Sequence, residues 1–343
     1  MPAPPRRVTM SDVAKAAGVT SAAVSYALSG RPGVSEELRG RIVAIADDLG
    51  FRRNQVALEL RHGRSGSIGL LLADIANPFY PEVASGVIAT CESRGFEVFV
   101  SHVGVSGERQ AEAAFSQVDR NSAGLLFTSL TFGDLALLEK LQAQGVPFVQ
   151  LHRRVEGVDA DWVGIDNYAA AQAISLHVAG CGRMSVAILG GPDDSSVSRD
   201  RTRGYVGGLD GSGVRLVNAG DTAGLLTRDS GHQRAAKILA RMPSVDAFIC
   251  GNDVIALGVL DACREAGRSV PADIAVAGFD DMSFASVGPL QLTTVEVPRE
   301  LIGRTGAEIL LDRIAGGATR PQRVILPYEL HIRETTGTIG STA

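Results

Sequence analysis

Val8 to Leu28 reads VTMSDVAKAAGVTSAAVSYAL. Thr9, with Asp12 three residues on, spells a capping box, so a helix starts here. Val13, Ala16 and Ala17 give that helix one apolar side. Gly18 interrupts the run where a tight helix-to-helix turn needs positive φ. Thr20 caps a second helix, Ser21 to about Leu28. Its Ala23, Val24, Ala27 and Leu28 fall inward at helical spacing, leaving Ser21, Ala22, Ser25 and Tyr26 outward. This is the shape of a helix-turn-helix, whose second helix enters a DNA major groove. The same pattern also fits an αα-hairpin inside a core, so the rest of the chain has to decide.

Charge separates the two. The 343 residues hold 33 Lys and Arg against 38 Asp and Glu, a net of −5, which taken whole argues against nucleic acid. Divided after Arg64, the first part holds 10 basic and 6 acidic residues, net +4, and the remainder 23 and 32, net −9. The basic end coincides with the two helices. The acidic bulk is repelled by phosphate and belongs away from a duplex.

Downstream, Ser29-Gly30-Arg31-Pro32-Gly33 reads as a loop. Ser35 caps a third helix, with Glu36 and Glu37 at the positive end of its dipole, an apolar stripe of Leu38, Ile42, Ile45, Ala46 and Leu49, and Gly50 as its stop. Asn54 then caps a short helical stretch through Arg61, too brief to be stable alone in water. Gly63, Ser65 and Gly66 follow as a flexible joint. A marginal helix beside such a joint reads either as a segment that folds on binding or as a plain linker.

From Ser67 the pattern becomes α/β. SIGLLLADI is a buried strand, and strands near 96–100, 124–127, 147–151 and 162–165 alternate with helices. The alternation restarts, with strands at 185–189, 215–217, 247–250 and 274–278, then a helix over 301–315 and a strand over 323–326. Alternation of this kind predicts parallel sheets with helices on both faces. Two such lobes in series imply a ligand cleft at the carboxyl ends of their strands.

Other classes find little support. Gly190-Gly191-Pro192 is not a dinucleotide fingerprint, and no phosphate-binding loop, nucleophile elbow or HxxxH pair occurs, so no catalytic constellation and no cofactor is expected. Cys91, Cys181, Cys250 and Cys263 are scattered without metal spacing and read as reduced core residues of a cytoplasmic protein. MPAPPRRVTM lacks the apolar run of a secretion signal, and no stretch is long enough to span a membrane.

The segments VTMSDVAKAAGV, AVSYAL, VSEELRGRI, IGLLLADIANPFY, VGIDN, CGNDVIALGVL, VAGFDD, LTTVEVP and LPYELHIRETT, in this order and at these separations, resemble the lactose/galactose repressor (LacI/GalR) family of bacterial transcription regulators. The likeness runs from Val8 to about Thr336. It implies a small all-α helix-turn-helix domain over residues 1–53, a hinge helix and linker over 54–66, and an α/β core over 67–343. That core would be two doubly wound lobes similar to periplasmic sugar-binding proteins, lobe one being about 67–165 plus 295–323 and lobe two about 166–294 plus 324–343. It further implies a homodimer on a pseudo-palindromic double-stranded DNA operator, with affinity set by a small molecule, expected to be a sugar, between the lobes.

By the same resemblance, Ser21, Ala22 and Tyr26 reach base edges; Ala22 offers only a methyl contact. Thr9, Thr20, Ser25 and Arg61 touch phosphates, Asn54 opens the hinge helix, and Leu60 wedges into the minor groove at a kink. In the cleft, Phe79 and Tyr80 lie against the effector, Arg201 forks onto hydroxyls or a carboxylate, and Asp280, Asn252 and Asp166 supply polar walls. His152 stands where many relatives have Asp, followed by Arg153, and Thr222 where some have a large aromatic. Two alternatives stay open: a nucleoside or anionic metabolite held by His152, Arg153 and Arg201, and a solute-binding protein with no DNA role.

Overall fold

Side-chain caps start each helix at the N-terminal end of the computed structural model, which describes residues 8–29, 32–51, 66–104, 109–218, 221–317 and 320–337. Before α1 (Met10–Ala17), the Thr9 hydroxyl accepts from the Asp12 amide at 3.3 Å and the Asp12 carboxylate accepts from the Thr9 amide at 2.8 Å. Gly18 ends α1 at φ +66°, the left-handed conformation its lack of a Cβ permits. Thr20 caps α2 (Ser21–Leu28) and Ser35 caps α3 (Glu36–Asp48). Each such cap is worth about 1 kcal/mol.

Val13, Ala14, Ala17, Val24, Ala27, Ile42 and Ala46 form the core of this unit. Two details depart from the sequence reading. Ala14, not Ala16, turns inward on α1, because the buried face follows Val13 and Ala17; Leu49 at the end of α3 is 40% exposed. Arg41 donates to the Ala17 carbonyl and Arg39 to the Ala27 carbonyl, both at 3.1 Å, so two cations of the basic end close helix C-termini. Chain contacts divide the molecule after Ser65. The predicted hinge, with Asn54, Leu60 and Arg61, lies outside the described residues.

The second unit, from Gly66 on, holds two parallel sheets. The first runs β2 (Glu97–His102), β1 (Ser67–Leu72), β3 (Leu125–Phe127), β4 (Phe148–Leu151), β5 (Asp161–Ile165) and β11 (Arg323–Leu326). All its pairings are parallel, and every residue of β1 is buried, as a strand covered on both faces must be. The second runs β7 (Arg215–Leu216), β6 (Ser185–Leu189), β8 (Ala247–Cys250) and β9 (Ala275–Ala277). In the first lobe, α4 (Phe79–Ser93), α5 (Gln110–Asp119), α6 (Leu135–Ala143) and α11 (Arg299–Ile314) cover the sheet; in the second, α7 (Asn167–Gly180), α8 (Ser196–Leu209), α9 (Arg228–Arg241) and α10 (Asp253–Glu265) do. α4 crosses α11 so closely that a Cβ on Gly86 would sit 2.1 Å from the Glu300 carbonyl oxygen, and one on Gly303 2.1 Å from that of Val83.

One predicted boundary is corrected. Residues 324–326 belong to the first lobe, because β11 pairs in register with Trp162 to Ile165 of β5. The chain returns afterwards through an antiparallel ribbon of β10 (Thr294–Glu296) and β12 (Glu329–His331), neither anticipated as a strand, and Val276 of the second lobe donates to the Thr335 carbonyl.

Candidate functional site

The outward side of α2 carries Ser21, Ala22 and Tyr26 exposed and Ser25 half-buried, with Val24 and Ala27 buried beneath. Tyr26 is 44% exposed, far more than a phenol supporting a core would be. The capping threonines differ. Thr20 spends its lone pair on the Ala23 amide, and its hydroxyl proton faces no acceptor among the described residues. Thr9 commits both its amide, at 2.8 Å, and its hydroxyl, at 2.7 Å, to the Asp12 carboxylate. Thr9 therefore has no donor left for a phosphate in this conformation.

In the core, strand order places the cleft. Each sheet has its first strand inside, so the order reverses between β1 and β3 and again between β6 and β8. Ligands of such sheets bind beyond the strand carboxyl ends at these reversals. Asn77, Phe79 and Tyr80 follow β1, His152 and Arg153 follow β4, Gly190 and Gly191 follow β6, Gly251 and Asn252 follow β8, and Asp280 follows β9; all line one cleft enclosing about 440 Å³ of atom-free space, its mouth included.

Arg201, from α8, organises that cleft. Its guanidinium donates to Asp280 Oδ1 at 2.8 Å, Asn167 Oδ1 at 2.9 Å and the Gly251 carbonyl at 2.7 Å. It also lies over the Phe279 ring, 3.5 Å from the centroid. Arg201 and Asp280 are both buried, so each depends on the other for charge balance. Burial raises the Asp280 pKa above the ordinary carboxylate value, with Arg201 and then Arg299 opposing it. Asp280 (φ +103°), Asp281 (φ +48°) and His152 (φ +63°) all hold left-handed backbone conformations that side-chain-bearing residues rarely adopt.

Phe79 meets His152 with ring centroids 4.5 Å apart, and Tyr80 accepts from Arg153 at 3.3 Å. Burial, then the fields of Arg201 and Arg153, push the His152 pKa far down, so the imidazole is neutral. Trp162 donates its indole N–H to the His152 carbonyl at 3.2 Å and fixes the turn. Asn252 caps α10, accepting from the Ile255 amide at 2.9 Å.

Asp166 does not stand on the cleft wall. It is exposed and caps α7, accepting from the Ala169 amide at 2.9 Å. Its neighbour Asn167 points inward to Arg201. The sequence held both residues in VGIDN; only the rise from β5 into α7 decides which faces in. Reading by motif also missed Ser195 and Ser198 on the cleft wall and Phe279 beneath Arg201. It missed Asp253 too, fully buried, whose carboxylate accepts from the Thr294 hydroxyl at 2.6 Å and the Met282 amide at 2.7 Å and whose pKa burial raises to about 8. Thr222 lies beside the cleft, its carbonyl accepting from the Gly190 amide at 2.6 Å.

A family model described as bacterial regulatory proteins, lacI family, matches residues 9–54, and one described as a periplasmic binding protein-like domain matches residues 175–336. The HTH-type transcriptional regulator CelR of Thermobifida fusca is 33% identical over 341 residues, covering 96% of this chain and 98% of that one. The maltose regulon regulatory protein MalI of Escherichia coli K12 is 29% identical, covering 95% and 98%. Among solved structures, the Lac repressor dimer bound to operator and the anti-inducer ONPF superposes with a TM-score of 0.86 at 27% identity, over 96% of this chain and 99% of that one. The CelR–cellobiose complex gives 0.73 at 30% identity, over 96% and 100%.

Proposed function

The chain belongs to the LacI family of bacterial regulatory proteins and is a DNA-binding transcriptional regulator under small-molecule control, and on that premise we propose how its own residues divide the work. Ser21, Ala22 and Tyr26 read base edges, Thr20, Ser25 and the segment through Arg61 hold phosphates, and Leu60 opens the minor groove. The protein acts as a homodimeric repressor on a two-fold operator, in the cytoplasm and on the nucleoid when bound, without catalysis. The exposed Phe99 and Val100 on edge strand β2 favour pairing with a second copy.

The effector is a sugar held in the cleft. The observation that carries this is the Arg201–Asp280 pair, a donor fork and an acceptor side by side on aromatic walls, which suits vicinal hydroxyls. The cellobiose complex of the CelR relative supports it. Closing on the sugar draws the lobes together. The strain passes through Arg299, which donates to the Asp280 and Asp281 carbonyls on one side and to Glu82 of α4 at 2.7 Å on the other.

Operator affinity, measured by fluorescence anisotropy with and without a panel of sugars, tests the reading. Switches of this kind move affinity by about 1–3 kcal/mol, roughly 5- to 150-fold. A panel in which no sugar shifts affinity, with Arg201→Ala also silent, would remove the effector from the cleft.

A further inference from the structure

The cleft holds more positive charge than it neutralises. Arg201 is matched by Asp280. Arg153 is 2% exposed, yet among the described residues its guanidinium bonds only through Nη2 to the Tyr80 hydroxyl at 3.3 Å, and Nη1 has no partner there. Asp134, whose carboxylate lies in the field of Arg153, is engaged by the Thr131 amide at 2.7 Å and hydroxyl at 2.9 Å. A buried guanidinium to which no carboxylate is bonded is costly, and proteins retain one where something else supplies the contact.

Two further observations point to the same place. Among the described residues, Ser195, 1% exposed, leaves its hydroxyl without a partner, and so does buried His152 with Nδ1. Ser195 is also the N-cap residue of the 14-residue helix α8, and no side chain caps that helix. The open amides of a first turn carry positive partial charge and bind anions. Arg153, His152, Ser195 and Ser198 all line the cleft.

We propose that the effector is an acidic sugar, whose carboxylate or phosphate seats between Arg153 and the N-terminus of α8 while its hydroxyls engage Arg201 and Asp280. This rests on the sugar reading above and narrows it. A neutral sugar leaves Arg153 uncompensated; a bare anion forgoes the hydroxyl contacts. Neutral His152 supplies one donor and one acceptor to the same ligand without adding charge.

The test is calorimetric titration of the full-length protein with matched sets: glucose, gluconate and glucose 6-phosphate; galactose, galacturonate and galactose 6-phosphate; with cellobiose, maltose and inorganic phosphate alone. The acidic member of a set binds at least ten-fold tighter than its neutral partner, and comparing carboxylate with phosphate identifies the group. Arg153→Gln abolishes that preference and raises the melting temperature of the unliganded protein, because an uncompensated charge is gone. An arginine with only a structural role would lower it. Arg153→Lys, which keeps the charge, retains the preference. Neutral sugars binding as tightly as their acids would overturn the acidic group and leave the sugar reading standing. Inorganic phosphate binding as tightly as the sugar phosphates, or no sugar binding at all, would overturn the sugar reading itself. Should Arg153→Gln fail to fold, the comparison within sets on the native protein decides alone.

Discussion

At the scale of single residues, the cleft is a problem of buried charge. Arg201→Met leaves Asp280 buried and unpaired, which costs about 3–5 kcal/mol by the general behaviour of such pairs. Adding Asp280→Asn recovers part of that loss, so a double-mutant cycle in urea should give a coupling well above 1 kcal/mol; strict additivity would mean the pair is not electrostatically linked. Asp253 makes a second case, with a sign that can be worked out. Its pKa is raised from 3.8 to about 8, so between those values the folded chain keeps a proton that the unfolded chain has released. Stability from that proton is full below the unfolded value and is lost as pH rises to the folded one, by at most about 1.4 kcal/mol per pH unit. Asp253→Asn mimics the protonated acid and should flatten the fall of melting temperature between pH 5 and 8. An unchanged slope would place the titration elsewhere.

At the scale of elements, short helices persist because their ends are closed and their faces covered. Caps at Thr9, Thr20 and Ser35 were legible in the sequence, since capping depends on local spacing alone. The α4–α11 crossing was not. Gly86 and Gly303 lie more than two hundred residues apart, and nothing local marks either as a contact between backbones. Gly86→Ala drives a methyl group into the Glu300 carbonyl, and overpacking of that kind costs about 1–3 kcal/mol, read as a lower urea midpoint at constant slope. Ribbon β10–β12 was missed for a similar reason: Thr294–Glu296 and Glu329–His331 become strands by pairing antiparallel across the whole of α11 and β11, outside the parallel alternation that marked the other strands.

At the scale of the whole molecule, function requires two lobes to report to each other. Around the ribbon, His331 meets Glu296 at 2.9 Å and Asp281 meets Arg333 at 2.7 Å, while Arg299 ties the Asp280–Asp281 turn to α4. Arg299→Ala should leave effector and operator affinities each within a few-fold of the native values when measured separately, while shrinking the change that one ligand makes in the other. A full-sized response would route the coupling elsewhere. Residues 66–343 expressed alone should bind the effector with native affinity and show no operator binding, since their net charge repels phosphate; retained operator binding would refute the division at Ser65.

The sequence by itself determined the helix caps, the Gly18 turn, the alternation of strands and helices and the split of charge, because each depends on residues near one another in the chain or on composition. Family resemblance, rather than local spacing, singled out Phe79, Tyr80, His152, Arg153, Arg201, Asn252 and Asp280 as cleft residues, and the structure brings them to one cleft. Only the tertiary structure decided that Asn167 faces Arg201 while Asp166 caps a helix, that β11 completes the first sheet, and that Arg153 is buried with no carboxylate bonded to its guanidinium among the described residues. These depend on which distant backbones meet and on how much water remains between them, and neither is written in local spacing.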